Sequence, residues 1–265
     1  MKIQGPISGF LLAGLLAGTL PGLASLAEVR ERGELIVLSW PHQESNFVRR
    51  MVKEYGEEGL HRFTGIDVDV LRGYADSLGV ELRIQPVREG FGELIPALLA
   101  GEGDVIGSSM TITRNRRAQI DFSIPYHAVK KVVVTREGSD LDTVEDLAGH
   151  TAAAGAGSSH EEHLQALQLE GLEILNTLFM LENYQAVAEG EADFTLVDSG
   201  SADRVLGSYA GLAKKLEVAF AFPMDDEYGF GLPPGSDLKP SLDAYLRQLE
   251  QSGELARIKA KYGRD

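Results

Sequence analysis

The run Met110-Thr111-Ile112-Thr113-Arg114-Asn115-Arg116-Arg117 gathers groups that hold anions. Thr113 has the side chain of a helix N-cap, so a short helix is expected from Arg114. Unpaired backbone N–H groups at such an end attract negative charge. Arg116 would lie in the first turn, where its planar fork can grip a carboxylate through two hydrogen bonds. Thr111 adds a hydroxyl. By spacing alone, Arg116 and Arg117 serve equally well as surface charges, with Thr113 only a cap. Asp198 closes an apolar run and can bind an ammonium group, or can be a turn aspartate. Gly155-Ala156-Gly157-Ser158-Ser159 precedes a helical stretch and offers a second set of N–H donors, without the Gly-Lys-Ser/Thr ending of a phosphate loop. Trp40 and Phe47 follow an apolar run, where an aromatic ring can stack on a ligand or pack in a core.

Short β runs alternating with helical ones must position these groups. Strands are expected at Glu34–Ser39, Leu82–Ile84, Asp104–Gly107, Val129–Thr135, Thr151–Ala154 and Phe194–Val197. Helical periodicity covers Asp67–Leu78, Phe91–Ala100, Ser158–Leu169, Glu182–Gly190, Ser201–Tyr209, Leu238–Gln251 and Gly253–Lys261. The polar stretch Glu44–Thr64 fits poorly; as a helix it would carry Phe47, Met51 and Tyr55 on one stripe. Strands separated by helices predict an α/β fold with largely parallel sheets. One segment occurs twice. Ala97–Ile106 and Ala186–Thr195 both read as helix, Gly-Glu-x-Asp turn and strand, and aligning Asp104 with Asp193 sets Ser109 opposite Asp198. Two similar lobes are expected, their strand ends facing across a cleft.

The bulk numbers narrow the function. A net charge of −15 over 265 residues disfavours nucleic acid and anionic lipid as partners. With no cysteine, thiolate metal sites, disulfides, thiol catalysis and a lipid-modified N-terminal cysteine are all ruled out. His160-Glu161-Glu162-His163 sets its histidines three apart, where the helical zinc pair needs four. No metal, cofactor or catalytic residue is therefore assigned; His42 and His127 fall near the expected cleft. At the N-terminus, Lys2, the uncharged run Ile7–Leu20, the Pro21-Gly22 break and Ser25-Leu26-Ala27 read as a signal peptide cleaved after Ala27.

Gly65-Ile66-Asp67-Val68-Asp69-Val70, Leu94–Gly101, Met110-Thr111-Ile112-Thr113 with Arg116, and Ile120-Asp121-Phe122-Ser123-Ile124-Pro125-Tyr126 together resemble family 3 of the bacterial extracellular solute-binding proteins. Leu246, Ser252-Gly253-Glu254-Leu255 and Tyr262-Gly263 match that family's closing pattern, so the resemblance runs from about Gly33 to Gly263. Ala152–His160 also resembles the solute-binding domain of membrane-bound lytic transglycosylase F. The resemblance implies two mixed-sheet lobes of the type II periplasmic-binding class, joined by two crossing strands near Tyr126–Lys131 and Phe220–Met224. Residues 28–128 with 222–265 would form one lobe and 129–221 the other. It implies a periplasmic, unlipidated monomer that binds an amino acid-like solute and works with an ABC permease or a membrane sensor, not an enzyme. Arg116 would grip the α-carboxylate, Thr111 and the Ser109 carbonyl would meet the α-amino and carboxylate groups, and Asp198 would bind the ammonium. Ser158 and Ser159 would offer N–H groups, with Trp40 beside the ligand. Two departures stand out: Ser109 replaces a glycine common in amino-acid binders, and the usual aromatic stretch after the first strand is missing. Two other readings stay open. One is a peptidoglycan-linked sensor related to the transglycosylase but lacking its catalytic domain. The other is a cyclohexadienyl dehydratase-like enzyme, whose acid would come from Glu161, Glu162, Asp225, Asp226 or Glu227.

Overall fold

A computed structural model describes residues 25–40, 47, 49–51 and 62–263. Helix α1 (Leu26–Arg32) starts on a reciprocal cap, in which Ser25 Oγ accepts from Glu28 N–H and Glu28 Oε2 accepts from Ser25 N–H. The expected leader lies largely outside the described residues. A cut after Ala27 would fall inside α1, removing this cap and the bond from Leu26 N–H to Asp237 Oδ1 (2.7 Å).

The chain continues through β1 (Glu34–Ser39), β2 (Arg49–Met51), β3 (Arg62–Thr64), α2 (Ile66–Leu78) and β4 (Glu81–Pro86). A 3-10 turn (Phe91–Glu93) then leads into α3 (Leu94–Leu99), followed by β5 (Val105–Ile106), α4 (Arg114–Arg117), β6 (Asp121–Phe122) and β7 (His127–Arg136). Next come β8 (Thr151–Gly155), α5 (Ser159–Leu167), β9 (Glu173–Thr177), α6 (Met180–Glu189), β10 (Phe194–Asp198), α7 (Ser199–Ser208) and α8 (Ala210–Ala213). The chain closes with β11 (Leu216–Tyr228), β12 (Gly231–Leu232), α9 (Leu238–Gln251) and α10 (Glu254–Ala260). Pro96 is tolerated in α3 because it sits in the first turn, where its missing N–H would have no helical partner. The helix expected within Glu44–Thr64 is corrected: Arg49–Met51 and Arg62–Thr64 pair as an antiparallel ribbon, and residues 52–61, Tyr55 among them, lie outside the description. Strand β9 was not anticipated, and β11 only at its crossing stretch, Phe220–Met224. In β9 exposed residues mix with half-buried ones, and in β11 they interrupt the buried positions, which blurs the alternating pattern.

Two five-stranded mixed sheets form the lobes, ordered β4-β1-β5-β12-β6 and β11-β7-β10-β8-β9. In each, a central strand (β1 or β8) lies parallel to two neighbours, and the next strand outward from β5 or β10 runs antiparallel. Strands β7 and β11 pair over almost their full length, with a register break between Ala221 and Asp225, and carry the chain between the lobes. Both faces of each sheet are covered. Val132 and Val134 pack with Tyr184 and Val187, while Val133 faces Leu147, Leu164 and Phe194. That two-sided burial is why these runs are continuously apolar. Among the described residues, no helix is long and apolar enough to cross a membrane.

The repeated segment proves to be one device used twice. Asp104 donates its N–H to Ile36 O (2.8 Å), and its carboxylate accepts from Ile36 N–H (2.7 Å). Asp193 treats Thr151 identically, at 2.7 and 2.9 Å. An arginine completes each turn, Arg32 on Asp104 and Arg136 on Asp193. Each aspartate thus fixes its strand against the central strand of its lobe. The Asp104 carboxylate is buried and that of Asp193 is about one-third exposed. Removing the buried one strands an N–H and an arginine, at a cost of about 3 kcal/mol. Asp104→Ala should therefore lower stability in urea unfolding by about 3 kcal/mol, and Asp193→Ala by roughly half that.

Candidate functional site

The carboxyl ends of β1, β5, β8 and β10 open on one cavity of about 140 Å³. Its wall includes Trp40, Ser109, Thr111, Ser158, Ser159 and Asp198. Apolar side chains complete much of the rest, with Phe47, Phe91, Leu178 and Met180 among them. Trp40, just past β1, stacks on Phe179 at 5.6 Å and 13°. Phe47 meets His127 and Tyr228 edge-on, at 5.1 and 5.0 Å. His42 lies outside the described residues.

Asp198 ends β10 and occupies the N-cap position of α7, yet its side chain makes no capping bond. It turns to the cavity, where Oδ1 lies 3.0 Å from His160 Nε2 and Oδ2 accepts from the Tyr228 hydroxyl. Since an ionised carboxylate only accepts, Nε2 carries the imidazole proton. Burial pushes the Asp198 carboxyl up, but His160, Lys131 and the Tyr228 hydroxyl outweigh it and bring it down to about 2. Sequence reasoning missed both partners. His160 had been weighed as a metal ligand; it faces Asp198, whereas His163 faces Phe222 at 4.5 Å. Tyr228 lay beyond the anticipated stretch of its crossing strand.

Ser109 follows β5 in left-handed backbone, φ +48°. This explains why glycine suits the position. Asp67, at the start of α2, holds the strained turn: its Oδ2 accepts from Ser109 N–H (2.8 Å) and its Oδ1 from the Tyr126 hydroxyl. Burial raises the Asp67 carboxyl to about 6 against the pull of those two donors.

Thr113 caps α4 as expected, accepting from Arg116 N–H at 3.2 Å. Arg116 is buried, its guanidinium over the Phe91 ring. It donates through Nη1 to Thr111 O (3.0 Å) and through Nη2 to Gly157 O (3.2 Å). It is not among the described residues on the cavity wall. Burial lowers its pKa to about 10, with Glu162 and Asp198 opposing the shift, so it stays charged. The backbone donor expected of Ser158 is spent on Gly155 O (3.1 Å), and its hydroxyl caps α5 by accepting from Glu161 N–H. Ser159 Oγ instead meets Thr111 Oγ1 at 3.0 Å. Glu161, Glu162, Asp225, Asp226 and Glu227 are likewise not among the described residues on the wall. Asn115 and Asn176 bond to Glu162 and Glu161, and Lys130 and Lys131 pair with Asp225 and Asp226.

Two predictions follow from this geometry. Ser109→Gly should relieve left-handed strain and raise stability by about 0.5–1 kcal/mol, read as a rise in Tm. The two buried carboxylates should give opposite pH slopes. Asp198, depressed to about 2, stabilises the fold above the ordinary carboxylate range, and that contribution is lost as pH falls toward 2. Asp67, raised to about 6, favours the fold at low pH, and that contribution is lost as pH rises through 6. Urea titrations across pH 2–7 should show Asp198→Asn flattening the acid limb and Asp67→Asn the limb from 4 to 6, each by on the order of 2 kcal/mol.

The chain is 30% identical over 260 residues to membrane-bound lytic murein transglycosylase F of Ectopseudomonas mendocina, covering 95% of this chain and 50% of that protein. It is 28% identical over 254 residues to the transglycosylase F of Alcanivorax borkumensis, covering 94% and 52%. The chain thus spans about half the length of these curated relatives. Among solved structures, a variant of ArgBP from T. maritima superposes with a TM-score of 0.77 at 29% identity, covering 89% of this chain and 98% of that one. An ancestral arginine-binding protein bound to arginine gives 0.77 at 26%, covering 87% and 98%. An ancestral amino acid-binding protein, described as a precursor of cyclohexadienyl dehydratase, gives 0.76 at 26%, covering 90% and 99%. The fold is the two-lobed, type II architecture of amino-acid-binding periplasmic proteins. The model of the bacterial extracellular solute-binding proteins, family 3, matches residues 52–265, and the chain belongs to that family.

Proposed function

We propose that this protein captures a small amino acid-like solute between its lobes for ABC-type uptake or sensing. The observation that carries the reading is the ionised Asp198, set on an otherwise largely apolar wall where the strand ends of both lobes meet. A carboxylate in that setting recognises an ammonium group, and the aromatic wall recognises an apolar body. The ligand carboxylate falls to Arg116, which keeps three of its five donors after its two carbonyl bonds, and to the start of α5 beside Ser158 and Ser159. Ser109, Thr111 and Trp40 complete the enclosure. The proposal includes a monomer exported to the periplasm by a leader cleaved near Ala27, with lobes of 28–128 plus 222–265 and of 129–221. Binding stabilises the closed form, and a permease or membrane sensor reads that closure.

A second reading, a sensor module for cell-wall peptides, is favoured by the likeness to the transglycosylases across nearly the whole chain. A thermal-shift screen against free amino acids, peptidoglycan peptides and prephenate separates the readings. Ligand at about 100 times its Kd adds about 2.7 kcal/mol, or about 5–10 °C. The expected result is a shift with a free amino acid that is lost in Asp198→Ala. A shift with cell-wall peptides alone would establish the second reading instead, and turnover of prephenate would overturn both.

A further inference from the structure

The inner face of α6 carries one amide among larger and apolar neighbours. Its buried residues are Asn183, Tyr184, Ala186 and Val187. Asn183 is 4% exposed and lies on the cavity wall. Its Oδ1 accepts from the Thr177 hydroxyl at the end of β9, which fixes the carboxamide. Its Nδ2 donates to no group among the described residues. Asparagine is a weak helix former, and a buried amide is costly while its donors go unmet. Met180 precedes Asn183 by one turn and shares its helix face. Ser201, in the first turn of α7, donates to the Met180 sulfur (2.7 Å) and shares a bond with the Tyr184 hydroxyl (2.8 Å). A thioether is a weak acceptor, so the Ser201 hydroxyl is free to turn to a better one. Helix α7 also opens without a side-chain cap, with Gly200 and Ser201 on the cavity wall. The partial positive charge of a helix start thus adds to the amide and the hydroxyl. All of these groups lie on the β11-β7-β10-β8-β9 sheet and its helices, so their arrangement does not depend on how the two lobes meet.

We infer that Asn183 and Ser201 form a second polar subsite, which reads an oxygen acceptor on the side chain of the captured solute, an amide or a carboxylate. The inference deepens the proposed capture reading and rests on it. Asp198 is the N-cap of α7 and Ser201 follows three residues later, so the subsite lies about 5 Å, one helical turn, from the ammonium site. A short side chain spans that reach. Its oxygen accepts from Asn183 Nδ2 and from the Ser201 hydroxyl. Apolar and purely cationic side chains bring no oxygen and leave the buried donor unmet. A site built to hydrogen-bond a ligand group rejects the analogue that lacks it. Asn183 is thus a specificity-determining residue as well as a partner for Thr177.

Calorimetric titration of the full chain with amino acids of matched size tests this. Glutamine and glutamate are set against methionine, and asparagine and aspartate against leucine. In at least one set, the unmodified chain should bind the amide or the acid about tenfold more tightly than the apolar member. Which of the two binds tighter tells an amide reader from a carboxylate reader, and either supports the subsite. Asn183→Leu should erase or reverse the preference. Asn183→Asp keeps an oxygen for Thr177 but removes the donor, and should erase it too; either variant suffices. The ratio of two affinities within one variant does not depend on how much of it is folded, so lost stability cannot mimic the effect. Binding as tight for, or confined to, amino acids without a side-chain oxygen would overturn the subsite and leave the capture reading standing. So would an unchanged preference in the variants. If no free amino acid binds, the capture reading falls and the subsite with it.

Discussion

A carboxylate that remains charged where burial penalises it must be met by donors on each of its oxygens. Asp198 is that carboxylate, and much of the architecture serves it. His160 comes from the first turn of α5, on the same lobe. Tyr228 comes from the end of β11, where the chain crosses back to the first sheet. The long pairing of β7 with β11 delivers Tyr228 to this position, and the pairing of β7 with β10 sets Lys131 opposite Asp198 in the sheet register. The charge on Asp198 therefore depends on the crossing strands being correctly paired, and the site is bound to the hinge through one hydroxyl.

Asp67 plays the complementary part on the other lobe. It is buried, it braces the left-handed Ser109, and its second oxygen holds Tyr126 just before β7. Tyr126 N–H in turn donates to Tyr228 O (3.0 Å). Two aspartates, one per lobe, are thus linked through two tyrosines at the crossing point. Burial wins at Asp67, where the donors are neutral. It loses at Asp198, where His160 and Lys131 add their influence. The same residue type is tuned in opposite directions by what the tertiary fold brings beside it.

The paired aspartate turns at Asp104 and Asp193 show how the two lobes come to resemble each other. Each turn bonds both the N–H and the carbonyl of one residue on the neighbouring central strand, so each fixes strand order and register in its own sheet. Building both lobes on this device places Ser109 and Asp198 at equivalent strand ends. That explains why these two residues of the cavity wall follow matching segments of sequence.

Local signals made the alternation of elements, the Thr113 cap and the repeated turn legible from the residues. Each depends on periodicity, cap chemistry or a motif a few residues long. The polar ends of the strands that face the cavity were legible for the same reason. The partners were not. His160, Tyr228 and Asp67 lie 38, 30 and 42 residues from the groups they hold, and no local pattern marks a hydrogen bond over such separations. The ribbon at Arg49–Met51 was misread because its polar surroundings carry no clean period. That Arg116 is engaged by a carbonyl of the opposite lobe follows only from the packing of one lobe on the other. Sequence by itself determined which residues could do chemistry and on which elements they lie. The tertiary structure decided which of them meet, and which carboxylate keeps its charge, because both depend on desolvation and on contacts that exist only when the two sheets are brought together.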